Sequence, residues 1–286
     1  MQIKKVAVLG AGIMGAGIAQ VLALGGYKVI LRDLQMALVK DGLHTIDQNL
    51  NKMIEKGMID EPQKSEALDL IHGATDLAEL RDVDLVIEAV VENMAVKKQI
   101  FAEMDHLCPE HTILASNTSS LSITEIASAT RRPEKILGMH FFNPVATMQL
   151  VEIVRGLDTE QASVDMASQL VQKIGKHPVL VKRESPGFIV NRIMATSINE
   201  AIFIYGEELA SKEDIDTAMK LGAGMPFGPL EVADFIGLDV LYALLLLYYE
   251  EFRDPKYRPH YILSTMIRAG YWGQKSGRGF YKYYHE

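Results

Sequence analysis

The run Lys5-Val6-Ala7-Val8-Leu9-Gly10-Ala11-Gly12-Ile13-Met14-Gly15 constrains the rest of the chain, because a short apolar strand leads straight into a glycine-punctuated helix start. Such a junction is a dinucleotide cradle. Gly10 allows the tight turn, Gly12 lets backbone N–H groups approach a pyrophosphate with no Cβ in the way, and Gly15 lets the helix lie close on the sheet. Ile13 and Met14, between those glycines, open the helix whose positive N-terminal end faces the phosphates. A GxGxxG string alone is common, so its surroundings decide. Here a helix follows over Ala16–Leu24, then a stop at Gly25-Gly26 and a second strand over Lys28–Leu31. That strand runs out at Asp33, eighteen residues past Gly15, where a carboxylate accepts hydrogen bonds from an adenosine ribose and repels a 2′-phosphate. The expected cofactor is NAD; the guanidinium of neighbouring Arg32 keeps NADP open.

The chain is long enough, at 286 residues, for two domains, and its 48% hydrophobic and 23% charged residues are ordinary for a soluble globular protein. A net charge of −8 argues against a nucleic-acid surface. Cys108 is the only cysteine, so no internal disulfide and no cysteine metal cluster is expected, and a reducing compartment fits. Met1 is followed within five residues by a core strand, which leaves no room for a signal or transit peptide and makes the cytoplasm the expected location. The most apolar run, Leu238–Tyr249, is far shorter than the roughly 20 residues that span a bilayer. It reads as a buried or interface helix, with no membrane partner.

Further along, residues Met36 to Met58 have a helical pattern that sets Lys52 and Lys56 one turn apart on one face, either a solvated surface or a phosphate-gripping pair. The apolar, β-branched run Asp84–Val91 marks a strand covered on both faces. It delivers Glu92-Asn93 and a helix carrying Lys97 to the carboxyl ends of the strands, where open α/β sheets bind ligands. A strand over Thr112–Ala115 brings Ser116-Asn117-Thr118-Ser119-Ser120 to the same rim. This is a hydrogen-bonding shelf, part of which must cap the helix beginning near Ser122.

Lys135–Met139 and Gln149–Val154 read as two strands. If they form a hairpin about Ala146, His140 and Glu152 are equidistant from its centre and face each other, about 4.5–5.5 Å apart at Cβ. His44, His106 and His111 lie in polar helix or loop contexts, His177 precedes a proline, and His285 is penultimate. Only His140 combines a strand end on the cofactor side with a carboxylate opposite. Oxidation of a secondary alcohol needs a group near neutral pKa to take the hydroxyl proton, and a carboxylate against one ring nitrogen sets the tautomer and stabilises the imidazolium. The bland alternative is a hairpin salt bridge. No HxxxH or HExxH spacing supports a metal, and no GxSxG elbow supports a serine nucleophile.

A helix over Thr159–Ile174 and a strand over Pro178–Val181 close the first domain, and strands then stop. Ser185-Pro186-Gly187 reads as an N-cap with proline at the first helical position. The remainder is helical apart from Gly224–Pro229 and an irregular stretch over Asp254–His260. The expected boundary divides residues 1–184 from 185–286.

Several motifs in order resemble the L-3-hydroxyacyl-CoA dehydrogenase family, and within it the short bacterial 3-hydroxybutyryl-CoA dehydrogenases. They are GAGIMGAGIAQ, Asp33, IEAVVEN (Ile87–Asn93), ASNTSSL (Ala115–Leu121), GMHFFNPV (Gly138–Val145), LVEIVRG (Leu150–Gly156), SPGFIVNR (Ser185–Arg192), PFGPLEVADFIGLD (Pro226–Asp239) and GQKSGRGFY (Gly273–Tyr281). Phe227 stands where the family often has methionine. The resemblance implies an α/β fold, a Rossmann-like NAD-binding domain followed by an all-helical domain that dimerises, with the active site between them. It implies His140 as catalytic base or acid and Glu152 as its partner. Ser119 and Asn191 would hold the substrate's C3 oxygen or thioester carbonyl, and Asn143 would orient substrate or nicotinamide. Glu92, Lys97 and Asn117 would line the NAD site, and Lys52 and Lys56 would meet coenzyme A phosphates. The expected substrate is an acyl-CoA thioester and the expected assembly a homodimer. A dehydrogenase of a free hydroxy acid, or a non-catalytic NAD-binding regulator, are the alternatives.

Overall fold

The computed structural model describes residues 3–283, so His285 lies outside the described residues. The chain divides into two compact units, the first ending at Ser185 and the second starting at Pro186.

The first unit is built on one eight-stranded sheet: β1 (Lys5–Leu9), β2 (Lys28–Arg32), β3 (Ile71–Ala74), β4 (Leu85–Glu88), β5 (Ile113–Ser116), β6 (Ile136–Phe141), β7 (Leu150–Arg155) and β8 (His177–Val181). Their order across the sheet is β3-β2-β1-β4-β5-β6-β7-β8. Every neighbouring pair is parallel except the antiparallel β6–β7 hairpin. The first six strands follow the 3-2-1-4-5-6 order of dinucleotide-binding folds, whose ligands lie beyond the strand carboxyl ends. The crossovers are helices: α1 (Ile13–Leu24), α2 (Met36–Glu55), α3 (Glu61–Asp69), α4 (Met94–Leu107), α5 (Ile123–Ala127) and α6 (Gln161–Lys173). Because helices cover both faces, Val6, Val8, Leu85, Ile87 and Ala115 are all sealed in the core.

Two sequence expectations for this unit are corrected. The helix expected to run to Met58 stops at Glu55, because Gly57 turns the chain with φ +66° and Asp60 starts α3 in a capping box with Gln63. That helix and edge strand β3 carry no strong apolar period and are not apparent in the sequence. The strand expected over Asp84–Val91 spans only Leu85–Glu88, since the Glu88 side chain bends back to accept from the Val90 N–H at 2.8 Å.

The second unit is helical: α7 (Val190–Gly206), α8 (Lys212–Gly222), α9 (Pro229–Ile236), α10 (Leu238–Phe252) and α11 (Tyr261–Arg268). Ser185-Pro186-Gly187 does not start α7 as expected. Positive φ at Gly187 (+73°) and Phe188 (+50°) holds the chain out of the helix until Val190. Proline at the first helical position occurs instead at Pro229, preceded by Gly228. In α10, Leu238, Leu241, Leu245 and Tyr248 fill the core at helical spacing. Two buried carboxylates organise this unit. Asp216 accepts from the Leu230 and Glu231 N–H groups at the start of α9, and Asp234 accepts from those of Phe280 and Tyr281. Among the described residues no helix is long and apolar enough to cross a membrane.

Candidate active site

The glycines at the end of β1 divide by what surrounds them. Gly10 has φ +97°, and a Cβ there would lie 2.5 Å from the Ala89 carbonyl oxygen. A Cβ on Gly15 would lie 1.7 Å from the Gly10 carbonyl oxygen, so α1 sits directly on the loop. A Cβ on Gly12 would meet no protein atom within 4 Å. Gly12 therefore borders space that the fold leaves open. Gly12 is also the N-cap of α1, no side chain caps that end, and its first turn carries no acidic residue. A helix start with no side-chain cap, open space above it and no acidic residue in its first turn fits an anionic dinucleotide. Asp33 closes the other side, accepting from the Ala11 N–H at 2.7 Å and the Leu34 N–H at 2.6 Å. Arg32 is engaged by the chain itself, its Nε donating to the Thr75 carbonyl at 3.1 Å.

Three strands along from β1, the β6–β7 register pairs His140 with Glu152, as the hairpin spacing predicts. His140 Nδ1 lies 2.7 Å from Glu152 Oε2, with the histidine 5% and the glutamate 0% exposed. The Phe142 ring packs on the imidazole, centroids 4.3 Å apart. Asn117, at the end of β5, accepts the Phe141 N–H at 2.9 Å on its Oδ1 and so ties the end of β6 to the shelf. Because β1, β4, β5 and β6 run parallel, the cradle, the shelf and His140 all lie along one edge of the sheet.

Between them stands a network of charge. Lys97, on α4, is 1% exposed, and its Nζ lies 2.7 Å from Glu88 Oε1 and 3.2 Å from Glu92 Oε2. Glu92 is the member that reaches solvent. It accepts from Thr118 Oγ1, from the Ser119 N–H at 3.1 Å and from Ser120 Oγ at 3.3 Å. Although partial burial works to raise its pKa, the Lys97 ammonium and the donors on the shelf hold the Glu92 carboxyl below the usual carboxylate range. Asn93 caps α4, accepting from the Val96 N–H at 3.1 Å.

The remaining candidates are placed as follows. Ser119 is half-buried on the shelf and Asn143 is exposed just beyond β6. Lys52 and Lys56 are exposed at the C-terminal end of α2, with Lys56 as its C-cap. Asn191 is the second residue of α7 and belongs to the second unit. Sequence reasoning did not single out Glu88. Its signal was a lone carboxylate inside an otherwise apolar strand, which has to find a buried partner.

Comparison with known proteins extends these observations over the whole chain. A family model described as "3-hydroxyacyl-CoA dehydrogenase, NAD binding domain" matches residues 5–185, and one described as "3-hydroxyacyl-CoA dehydrogenase, C-terminal domain" matches 187–283. A 3-hydroxybutyryl-CoA dehydrogenase of Clostridioides difficile is 50% identical over 98% of this chain and 99% of its own length. The mitochondrial hydroxyacyl-coenzyme A dehydrogenase of Sus scrofa is 42% identical over 98% of this chain and 91% of its own. The crystal structure of a (S)-3-hydroxybutyryl-CoA dehydrogenase from Ralstonia eutropha superposes with a TM-score of 0.97 at 46% identity, covering 99% of this chain and 100% of that one. With a glycine cradle, a buried histidine–carboxylate pair on the same sheet edge and two family models covering nearly every residue, this chain belongs to the 3-hydroxyacyl-CoA dehydrogenase family.

Proposed function

We propose that this protein interconverts (3S)-3-hydroxyacyl-CoA and 3-oxoacyl-CoA thioesters with NAD, and that the four-carbon pair is its preferred substrate. The observation that carries the reading is the sealed His140–Glu152 pair on the sheet edge that also bears the Gly10–Gly15 cradle.

NAD, when bound, takes up or supplies the hydride. The N–H groups at Ile13 and Met14, with Gly10, Gly12 and Gly15, would hold its pyrophosphate and Asp33 its adenosine ribose. Glu92, Asn117 and Asn143 would line the nicotinamide side, with Lys97 supporting Glu92. In oxidation, Nε2 of His140 accepts the hydroxyl proton as the carbon loses hydride; in reduction the imidazolium returns it. Glu152 holds the other ring nitrogen, which fixes the tautomer and stabilises the charged ring. Ser119 and Asn191 would hold the C3 oxygen or the thioester carbonyl, and Lys52 and Lys56 the coenzyme A phosphates. A homodimer formed through the helical unit and a reducing cytoplasmic setting belong to the same proposal. The first is what the family resemblance implies, and the second suits a single, buried, unpaired thiol at Cys108.

A spectrophotometric assay tests it, with NADH and NADPH each crossed with 3-oxoacyl-CoA thioesters of four to ten carbons and with free acetoacetate. NADH oxidation fastest with acetoacetyl-CoA is the expected result. No turnover with any thioester overturns the proposal, and equal turnover of free acetoacetate replaces the thioester substrate with a free acid.

A further inference from the structure

We propose that Glu88 is a positioning residue for the dinucleotide site: through Lys97 it fixes the Glu92 carboxylate, and through the Val90 N–H it fixes the turn on which Gly10 rests. This rests on the reading that the cradle takes NAD.

Glu88 ends β4 with no exposed surface. A carboxylate there persists only with several partners, and it has them. It accepts from the Val90 N–H at 2.8 Å, from Ser116 Oγ at 2.6 Å, and from Lys97 Nζ at 2.7 and 3.0 Å. The parallel register sets Glu88 beside Ser116, so β4 and β5 place both side chains on one face. Lys97 also serves Glu92, at the longer distance of 3.2 Å. One ammonium between two carboxylates takes its position from the closer, fully buried one, and Glu92 then takes its own from the ammonium. The Thr118–Ser120 shelf hangs on Glu92 in turn.

The second link runs the other way. The Val90 N–H is held by Glu88, while the preceding carbonyl, that of Ala89, lies 2.5 Å from where a Cβ on Gly10 would be. The turn after β4 is therefore a wall of the cradle. A single buried side chain sets the wall beneath Gly10 and the acid at its rim. If Glu88 served only stability, its loss would lower Tm and leave dinucleotide binding in the folded protein unaltered.

The test uses the full chain, with the NADH Kd from fluorescence titration and Tm from thermal melting, beside steady-state kinetics. In Glu88→Gln the NADH Kd is expected to weaken at least about tenfold, as for loss of a hydrogen bond between charged groups. At saturating NADH, kcat and the KM for acetoacetyl-CoA are expected to stay within about threefold, because only uniform binding of the dinucleotide is lost. Because one of its two links runs through Glu92, the Glu88→Gln/Glu92→Gln pair is expected to weaken NADH by less than the product of the single effects. Ser116→Ala removes one donor without changing charge, and a weakening of about threefold is expected. Should Glu88→Gln fail to fold, Ser116→Ala and Lys97→Met carry the test, and unchanged NADH affinity in both overturns the proposal. Unchanged affinity in folded Glu88→Gln, or multiplicative single effects in the pair, overturns it as well. A wild type that binds no NADH removes the NAD reading and this proposal with it, whereas a wild type that binds it as tightly as Glu88→Gln does removes only the role of Glu88.

Discussion

The Nδ1 atom of His140 lies 2.7 Å from the Oε2 atom of Glu152, inside an antiparallel hairpin whose register sets the two residues directly opposite each other. A pair sealed to this degree is costly to keep for a salt bridge alone, since exposed pairs contribute little and buried ones must overcome desolvation. Its geometry suits the proposed acid–base role. His140→Gln is expected to lower kcat by at least about 100-fold, within the range ascribed to a general acid–base histidine, while the NADH Kd measured by fluorescence stays within about threefold. Glu152→Gln is expected to cost a comparable factor and to displace the pH–rate profile, since the imidazolium loses its counter-charge. An unchanged profile would leave Glu152 a packing residue.

Gly12 and Gly15 separate ligand space from packing. Alanine at Gly12 points into open space at φ −69°, so Tm should hold while the NADH Kd weakens at least about tenfold, the methyl occupying the pyrophosphate's place. Alanine at Gly15 drives a methyl onto the Gly10 carbonyl oxygen, an overpacking that costs about 1–3 kcal/mol and should lower Tm by several degrees. Equal behaviour of the two variants would mean that Gly12 borders no ligand.

These contrasts also show what the sequence makes legible. The glycine spacing, the apolar strands and the switch to helices after Val181 each follow from local pattern, and the sheet and the helical unit follow from them. The His140–Glu152 register was readable because a hairpin's pairing is fixed by its midpoint. The shelf was readable only as composition: nothing in Ser116-Asn117-Thr118-Ser119-Ser120 says that Glu92 gathers three of its donors, or that Asn117 turns to the Phe141 N–H. Those contacts depend on the parallel register of β4, β5 and β6, which no short segment encodes. Helix α3 and strand β3 were hidden for a different reason. Both are short; α3 is polar, and β3 is a four-residue edge strand, where one-sided burial leaves a weak period. Asn191 stands in a helix whose start is displaced by positive φ at Gly187 and Phe188, strain that the SPG string masks as an ordinary proline-led helix start.

The shelf should also respond to pH. Lys97 and the shelf donors hold the Glu92 carboxyl below its ordinary value, so its interactions stabilise the fold above the unfolded carboxylate pKa. That contribution is lost as pH falls through the lowered folded value, because the protonated carboxyl no longer attracts Lys97. Thermal melts of wild type and Glu92→Gln from pH 7 to pH 3 should therefore start apart, with wild type the more stable, and converge at the acid end. A gap that stays constant or widens on acidification would show that the charge of Glu92 does not hold the shelf.

Lys52 and Lys56 lie one turn apart at the exposed end of α2, and the helix gives them no help as an anion site, since its C-terminal end carries the negative pole. Any affinity for coenzyme A phosphates therefore rests on the two ammonium groups themselves, and it is screened over about 8–10 Å by salt. Reversing both charges, Lys52→Glu with Lys56→Glu, should raise the KM for acetoacetyl-CoA at least about tenfold at low ionic strength, with kcat held, because the contact is made equally in ground and transition states. The KM for an acetoacetyl-pantetheine analogue, which lacks the nucleotide phosphates, should stay near that of wild type, and the difference between the two thioesters should shrink as salt rises. The same rise in KM for both thioesters would place the phosphates elsewhere and leave this helix end a solvated surface.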